Sequence, residues 1–219
     1  VEYADPTMPD ITIERRPDGW RMVAPVDAPV LESGAKDILR VLERNIRKRI
    51  GPTKAEYGLD DPQVILTVEF DGKTKRFLFG AKGVSYALYA KEASSPDTIT
   101  VEAWVLDEVM RTPAELRDRA VVAFKLRDTR RVSVDRHDGS GPIAIARGSA
   151  DAEWAMTAPT AAPADQEAVA ATLAALIGAK ADVFVADGVA DPESYDLGEA
   201  AADIRVGLVE DGERHLRLA

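Results

Sequence analysis

Apolar and polar residues alternate over Ile11–Glu14 and again over Trp20–Val23, with Arg16-Pro17-Asp18-Gly19 between them. Two-residue alternation marks half-buried strands, and Pro and Gly supply the backbone of a tight turn, so the stretch predicts a β-hairpin. The period then changes. Ile38, Leu39, Leu42, Ile46 and Ile50 recur at spacings of three and four, which predicts one amphipathic helix from about Gly34 to Ile50, stopped by Gly51-Pro52. Alternation resumes over Val64–Phe70 and Thr74–Phe79, which flank Asp71-Gly72, a strong hairpin signal because both residue types accept positive φ.

The same order recurs downstream. Trp20-Arg21-Met22-Val23-Ala24-Pro25 and Trp154-Ala155-Met156-Thr157-Ala158-Pro159 share the pattern Trp-x-Met-x-Ala-Pro, 134 positions apart. Ala28-Pro29 and Ala162-Pro163 keep that offset, and Ile143-Ala144-Ile145 stands ahead of the second Trp as Ile11-Thr12-Ile13 stands ahead of the first. A second helix is predicted from about Asp165 to Ile177, with Val169, Leu173, Leu176 and Ile177 inward, Asp165 as N-cap and Gly178 beyond its end. Tyr57-Gly58-Leu59 corresponds to Tyr195-Asp196-Leu197, and each precedes a strand, an Asp-Gly turn (Asp71-Gly72, Asp211-Gly212) and another strand. Five features in one order define an internal repeat of β-β-α-β-β units.

Between the copies, Val84–Ala90 and Thr98–Val101 read as strands and Glu102–Arg111 as a helix ended by Pro113. The expected fold is therefore α+β: two similar antiparallel lobes joined by a structured connector, over residues 1–112 and 113–219. The second copy has no counterpart of Gly80–Arg111, and the chain opens on Val1; both are read as signs of a longer native protein.

Composition narrows the chemistry. With 28 Lys+Arg against 38 Asp+Glu the formal net charge is −10, which disfavours nucleic acid as a partner. There is no cysteine, which removes disulfides, thiolate metal sites and cysteine nucleophiles. No P-loop, dinucleotide, G-x-S-x-G or H-E-x-x-H pattern occurs, so no cofactor and no catalytic residues are expected. The two histidines fall in Asp135-Arg136-His137-Asp138, read as a strand end entering the Gly139-Ser140-Gly141-Pro142 turn, and at His215, read as a solvated strand position. Trp20 and Trp154 are expected to seal the edge of each lobe's core, with the indole N–H on a loop carbonyl.

The signature of an I-x-I strand, Trp near Met-x-Ala-Pro, an apolar helix, and then Tyr57-Gly58-Leu59-Asp60-Asp61-Pro62 resembles a bacterial and archaeal family known as domain-of-unknown-function family 4340. Tyr86–Ala90, Leu116-Arg117-Asp118-Arg119 before Val121 and Phe124, Ala164-Asp165-Gln166-Glu167, and a strand at Ala181-Asp182-Val183-Phe184-Val185 extend the likeness over about Ile11 to Ala219; Asp196 departs from it where Gly is the rule. Members are commonly tethered by an N-terminal transmembrane helix and often encoded beside transporter subunits of the ATP-binding-cassette type, including gliding-motility types. The resemblance implies a membrane-anchored, extracytoplasmic accessory domain partnered by such a membrane complex, and carries no catalytic residues with it.

One charge feature stands against the acidic background. Lys36, Arg40, Arg44, Arg47 and Lys48 line the polar side of the predicted first helix, a stripe suited to anionic headgroups or an acidic partner; the alternative is a solvated face, with Glu43–Arg47 an ordinary i,i+4 pair. The function expected from these features is a non-catalytic interaction domain; the alternative is a module that binds a saccharide or peptide between the lobes.

Overall fold

In the computed structural model all residues are described except 44–45, 189–191, 196–197, 199, 210–211 and 219. The chain is α+β and divides into two compact units, Val1–Asp118 and Arg119–Ala219. The first contains β1 (Glu2–Tyr3), β2 (Thr12–Arg16), β3 (Gly19–Ala24), β4 (Ala28–Val30), α1 (Glu32–Arg40), β5 (Ile46–Pro52), β6 (Val64–Phe70), β7 (Lys73–Lys82), β8 (Ala87–Glu92), β9 (Asp97–Glu102), α2 (Trp104–Val109) and α3 (Pro113–Leu116). The second contains β10 (Thr129–Asp135), β11 (Ile143–Ala146), β12 (Ala155–Ala158), β13 (Ala162–Pro163), α4 (Gln166–Gly178), β14 (Ala202–Leu208) and β15 (Glu213–Leu218).

The repeat is present down to its register. Met22 pairs with Ala28 and Met156 with Ala162; Ile13 pairs with Met22 and Ile145 with Met156. Each hairpin shifts register at one place, between Thr12 and Ile13 in the first and between Ala144 and Ile145 in the second. Ala24–Pro25 and Ala158–Pro159 are both cis. Trp20 lies opposite Val30, and the Trp154 carbonyl accepts from Ala164 N–H, so the two tryptophans hold one topological position. Each carries an arginine on its ring: Arg15 at 5.8 Å from the Trp20 centroid and Arg147 at 4.7 Å from that of Trp154. Tyr57 and Tyr195 each end a short 3-10 turn, Ala55–Tyr57 and Pro192–Tyr195. Tyr57 is buried and stacks on Tyr89 at 4.2 Å, Gly58 takes φ +62° and Leu59 is buried, whereas Tyr195 is exposed. Leu197 and the Asp211 half of the second Asp-Gly turn lie outside the described residues.

Sheet order differs between the units. The second is one six-stranded antiparallel sheet, β13-β12-β11-β10-β14-β15, in which β10 joins the Trp hairpin to the last hairpin. The first has a sheet β1-β6-β7-β8-β9-β5 and a separate sheet β2-β3-β4. In the first core Met22 and Ile11 meet Ile38 of α1, Leu66 and Leu88 of the sheet, Val105 of α2 and Leu116 of α3; in the second, Val132, Trp154, Val169, Leu173 and Val206 close together. Asp165 caps α4, its carboxylate accepting from the N–H groups of Glu167 and Ala168.

Five expectations are corrected. The first helix ends at Arg40, and Ile46–Pro52 is strand β5, because β9 presents an edge with which that segment pairs (Ile46 with Val101, Arg49 with Ile99). The counterpart segment, residues 181–185, forms no strand, and Val183 and Val185 are exposed: no β9 equivalent stands beside it among the described residues. Ile177, expected inward, is exposed at the end of α4. Pro113 opens α3 at its N1 position, where no N–H is needed, and a Thr112–Glu115 capping box closes that terminus. Residues 113–118, expected with the second lobe, pack in the first unit: Leu31 N–H donates to Leu116 O, Asp118 N–H to Pro29 O, and Leu116 is fully buried.

The packing separates substitutions that cost stability from those that do not. A Cβ on Gly80 would overlap the Tyr57 carbonyl oxygen, whereas one on Gly148 meets nothing within 4 Å. Gly80→Ala is expected to cost about 1–3 kcal/mol and Gly148→Ala less than about 0.5 kcal/mol in denaturant unfolding. Trp154 is buried and Trp20 half-buried. Trp154→Ala should cost about 3–5 kcal/mol and Trp20→Ala clearly less, read from circular-dichroism melts.

Candidate interaction surface

The basic stripe does not lie on one helix. Lys36 and Arg40 lie on α1, where Lys36 Nζ meets Glu32 at 2.7 Å and an Arg40 guanidinium nitrogen meets Asp37 at 3.0 Å. Arg47 and Lys48 belong to β5, and Arg44 lies outside the described residues. Arg47 does not meet Glu43 across a helical turn. Its Nε sits 3.0 Å from Glu102, and its Nη1 donates to the Ser85 carbonyl at 2.8 Å. Lys48 and Arg49 are exposed on this outermost strand of the sheet and have no ion-pair partner among the described residues.

Beside that basic edge stands a feature that sequence periodicity assigned to a strand. Val84-Ser85-Tyr86 is the turn between β7 and β8, which starts only at Ala87. Gly83 N–H donates to Ala87 O, and Ala103 N–H, just before Trp104, donates to Tyr86 O. Ser85 and Tyr86 have φ of +55° and +57°. They are the central residues of a hairpin turn closed by Ala87 N–H donating to Val84 O, where positive φ at both is the favoured pattern; at non-glycine residues it costs roughly 1–2 kcal/mol each. The strain holds Val84 and Tyr86 out into solvent, 84% and 86% exposed, with Trp104 and Ile46 also exposed nearby in the chain's pairing. Two exposed side chains, one apolar and one aromatic, therefore stand at this turn, to whose Ser85 carbonyl Arg47 of β5 donates. The only hint in the sequence was Gly83 followed by an aromatic run; alternation alone read through it.

The two histidines, separate in sequence, converge. His137 Nε2 lies 2.9 Å and His215 Nε2 2.6 Å from the two carboxylate oxygens of Asp203, with Arg217 Nε at 3.5 Å. Cross-strand pairing places them: Asp135 faces Asp203, Arg205 faces His215, and His137 sits one turn residue beyond β10 at φ +53°. The hydrogen bonds from His215 and then His137 hold the Asp203 carboxyl down at about 2. Both rings are nearly half exposed, and the cluster ties the β10 turn to the last hairpin. No group of three metal-ligating side chains is found among the described residues.

A repeat of Trp-centred hairpins, each backed by a helix and a second hairpin, defines a two-unit α+β protein whose candidate surface is a contact tip. The chain belongs to the family "Domain of unknown function (DUF4340)", whose pattern matches residues 20–153 and 154–218. The two matches begin at Trp20 and Trp154, the equivalent tryptophans of the two repeat hairpins. No curated protein and no solved structure matches the chain.

Because folding lowers the Asp203 pKa from 3.8 to about 2, its ionised form favours the folded chain above the unfolded value, and that advantage is lost as pH falls through about 2. The denaturant midpoint of the wild type should therefore drop more steeply between about pH 4 and about pH 2 than that of Asp203→Asn, whose side chain does not titrate.

Proposed function

We propose that this chain is a non-catalytic interaction domain of a membrane-associated assembly, working on the extracytoplasmic side with transporter subunits of the ATP-binding-cassette type as its partner class. The family resemblance supports the setting. The observation that carries the contact role is the Val84–Tyr86 tip, where left-handed backbone at two non-glycine residues presents Val84 and Tyr86 to solvent. Positive φ at both central residues is hairpin-turn geometry, and what supports the contact reading is that a valine and a tyrosine, rather than Asn-Gly, stand exposed there. No helix among the described residues is long and apolar enough to cross a membrane.

The test separates stability from binding. Tyr86→Gly relieves a left-handed cost of roughly 1–2 kcal/mol against a glycine entropy cost of roughly 0.5–1 kcal/mol, so the variant should be as stable as the wild type or slightly more so. It should nevertheless lose its partner. A photo-crosslinking residue at position 86 of the full-length protein should label a subunit of a membrane complex in native membranes, and the same residue at Asp61 should not. Equal labelling from both positions, or binding unaffected by Tyr86→Gly, sinks the reading.

A further inference from the structure

The turn of residues 136–142, which joins β10 to β11, is held to the rest of its unit in an unusual way. His137, Gly139 and Gly141 have φ of +53°, +82° and +76°, so the chain doubles back through left-handed backbone. Within the turn the polar side chains satisfy one another. Ser140 donates to Asp138 through both its N–H and its hydroxyl, and the Arg136 guanidinium reaches Asp138 and the Ser140 hydroxyl. Among the described residues one side-chain contact leaves the turn for a strand other than the two it joins: His137 Nε2 lies 2.9 Å from Asp203 of β14.

The His137 ring sits between two carboxylates. Its Nε2 faces Asp203, and its Nδ1 faces Asp135 Oδ1 at 3.8 Å, the oxygen that also accepts His137 N–H. A neutral imidazole carries one N–H, so whichever nitrogen holds it, the other turns a lone pair toward a carboxylate. Only the imidazolium offers an N–H to both. Asp203 is the fixed half of the arrangement. Its side chain is 12% exposed, and hydrogen bonds from His215 and then His137 hold its carboxyl down at about 2. It therefore stays ionised between about pH 5 and pH 8, where histidine as a residue type changes charge. The other charges around the ring are few. On the turn, Asp138 is matched by Arg136; on β15, His215 takes the second Asp203 oxygen at 2.6 Å and Arg217 stands 3.5 Å from it; on β14, Arg205 pairs opposite His215; β11 opens with the uncharged Ile143-Ala144. His215 has cations on both sides and no second carboxylate contact among the described residues, so a neutral ring donating from Nε2 already satisfies it. His137 alone is placed so that its bonding depends on its charge.

We propose that His137 is a pH-sensitive staple: as imidazolium it holds the turn of residues 136–142 against β14, and on losing its proton it lets the turn go. The sign follows from the charged form being the one that the docked turn favours, so docking is fullest at low pH and weakens as pH rises. Release leaves the sheet intact, because β10, β14 and β15 are joined by backbone pairing along their lengths. The turn keeps its own Asp138–Ser140 bonds and moves as a unit on the ends of β10 and β11. None of these residues belongs to the Val84–Tyr86 tip, and the staple stands or falls independently of it.

The test is the rate at which trypsin cuts the bond between Arg136 and His137 in the whole chain, followed by mass spectrometry at pH 6 and pH 8. Each rate is divided by that for the free peptide of residues 133–142 with the same sequence at the same pH, which removes the protease's own pH dependence and any change next to the cut. Cleavage then reads the fraction of molecules with the turn released. The normalised rate should be roughly two- to fivefold higher at pH 8 than at pH 6, the scale of an exposed ion pair. His137→Gln keeps a donor for Asp203 but does not titrate, and should abolish the rise. Asp135→Asn keeps an oxygen for the His137 amide while removing the charge that opposes the neutral ring, and should shrink it. His215→Gln should leave it in place. Equal normalised rates at the two pH values in the wild type, or a rise that survives His137→Gln, overturns the proposal. Loss of the rise in His215→Gln also overturns it, because the sensing then belongs to the pair of rings and not to His137.

Discussion

A strand exists only where an edge is available to take its hydrogen bonds, and most of this fold follows from that constraint. Ile46–Pro52 and residues 181–185 occupy equivalent places after the repeat helices, yet only the first is a strand, because β9 stands beside it. The long β10 makes the second unit a continuous sheet, whereas the strands of the first lie in two sheets, β1-β6-β7-β8-β9-β5 and β2-β3-β4. Among the described residues each unit thus contains a strand pairing not found in the other.

Within that constraint the Trp hairpin is the invariant part. Its register, its shift and the arginine over the indole recur in both units, and the helix behind packs an apolar face onto it. A guanidinium over an indole contributes about 0.5–2 kcal/mol depending on desolvation. Arg147 is the more deeply set of the two, and burial lowers its pKa from the ordinary arginine value. Its fork also holds the start of β10, so one side chain links the hairpin, the tryptophan and the bridging strand. Arg15 keeps only the stacking half of that arrangement.

Charge is distributed against any simple basic face. The cations of α1 are matched within a turn by Glu32 and Asp37, exposed pairs worth a few tenths of a kcal/mol. What distinguishes the β5 edge is the reverse: Lys48 and Arg49 are unmatched among the described residues, and lysine or arginine on a free edge also guards against edge-to-edge aggregation.

By itself the sequence determined what depends on local spacing and local chemistry. Trp-x-Met-x-Ala-Pro at Trp20 and Trp154 located the repeat, Asp165 marked the start of α4, Asp71-Gly72 marked the β6–β7 turn, and the family followed from those signatures. Tertiary structure decided everything that needs a partner distant in the chain. Ile38, Leu42, Ile46 and Ile50 fit a helical period, and only the presence of β9 turned the last two into strand residues. Val84 and Tyr86 fit an alternating strand, and only the Tyr86–Ala103 hydrogen bond, with left-handed backbone, turned them outward. His137 and His215 carry no mutual signal, since their meeting on Asp203 depends on the registers of three strands. Hydrophobic periodicity reports which face of an element is buried, but not which edge it will find, because the edge is supplied by residues distant in the chain.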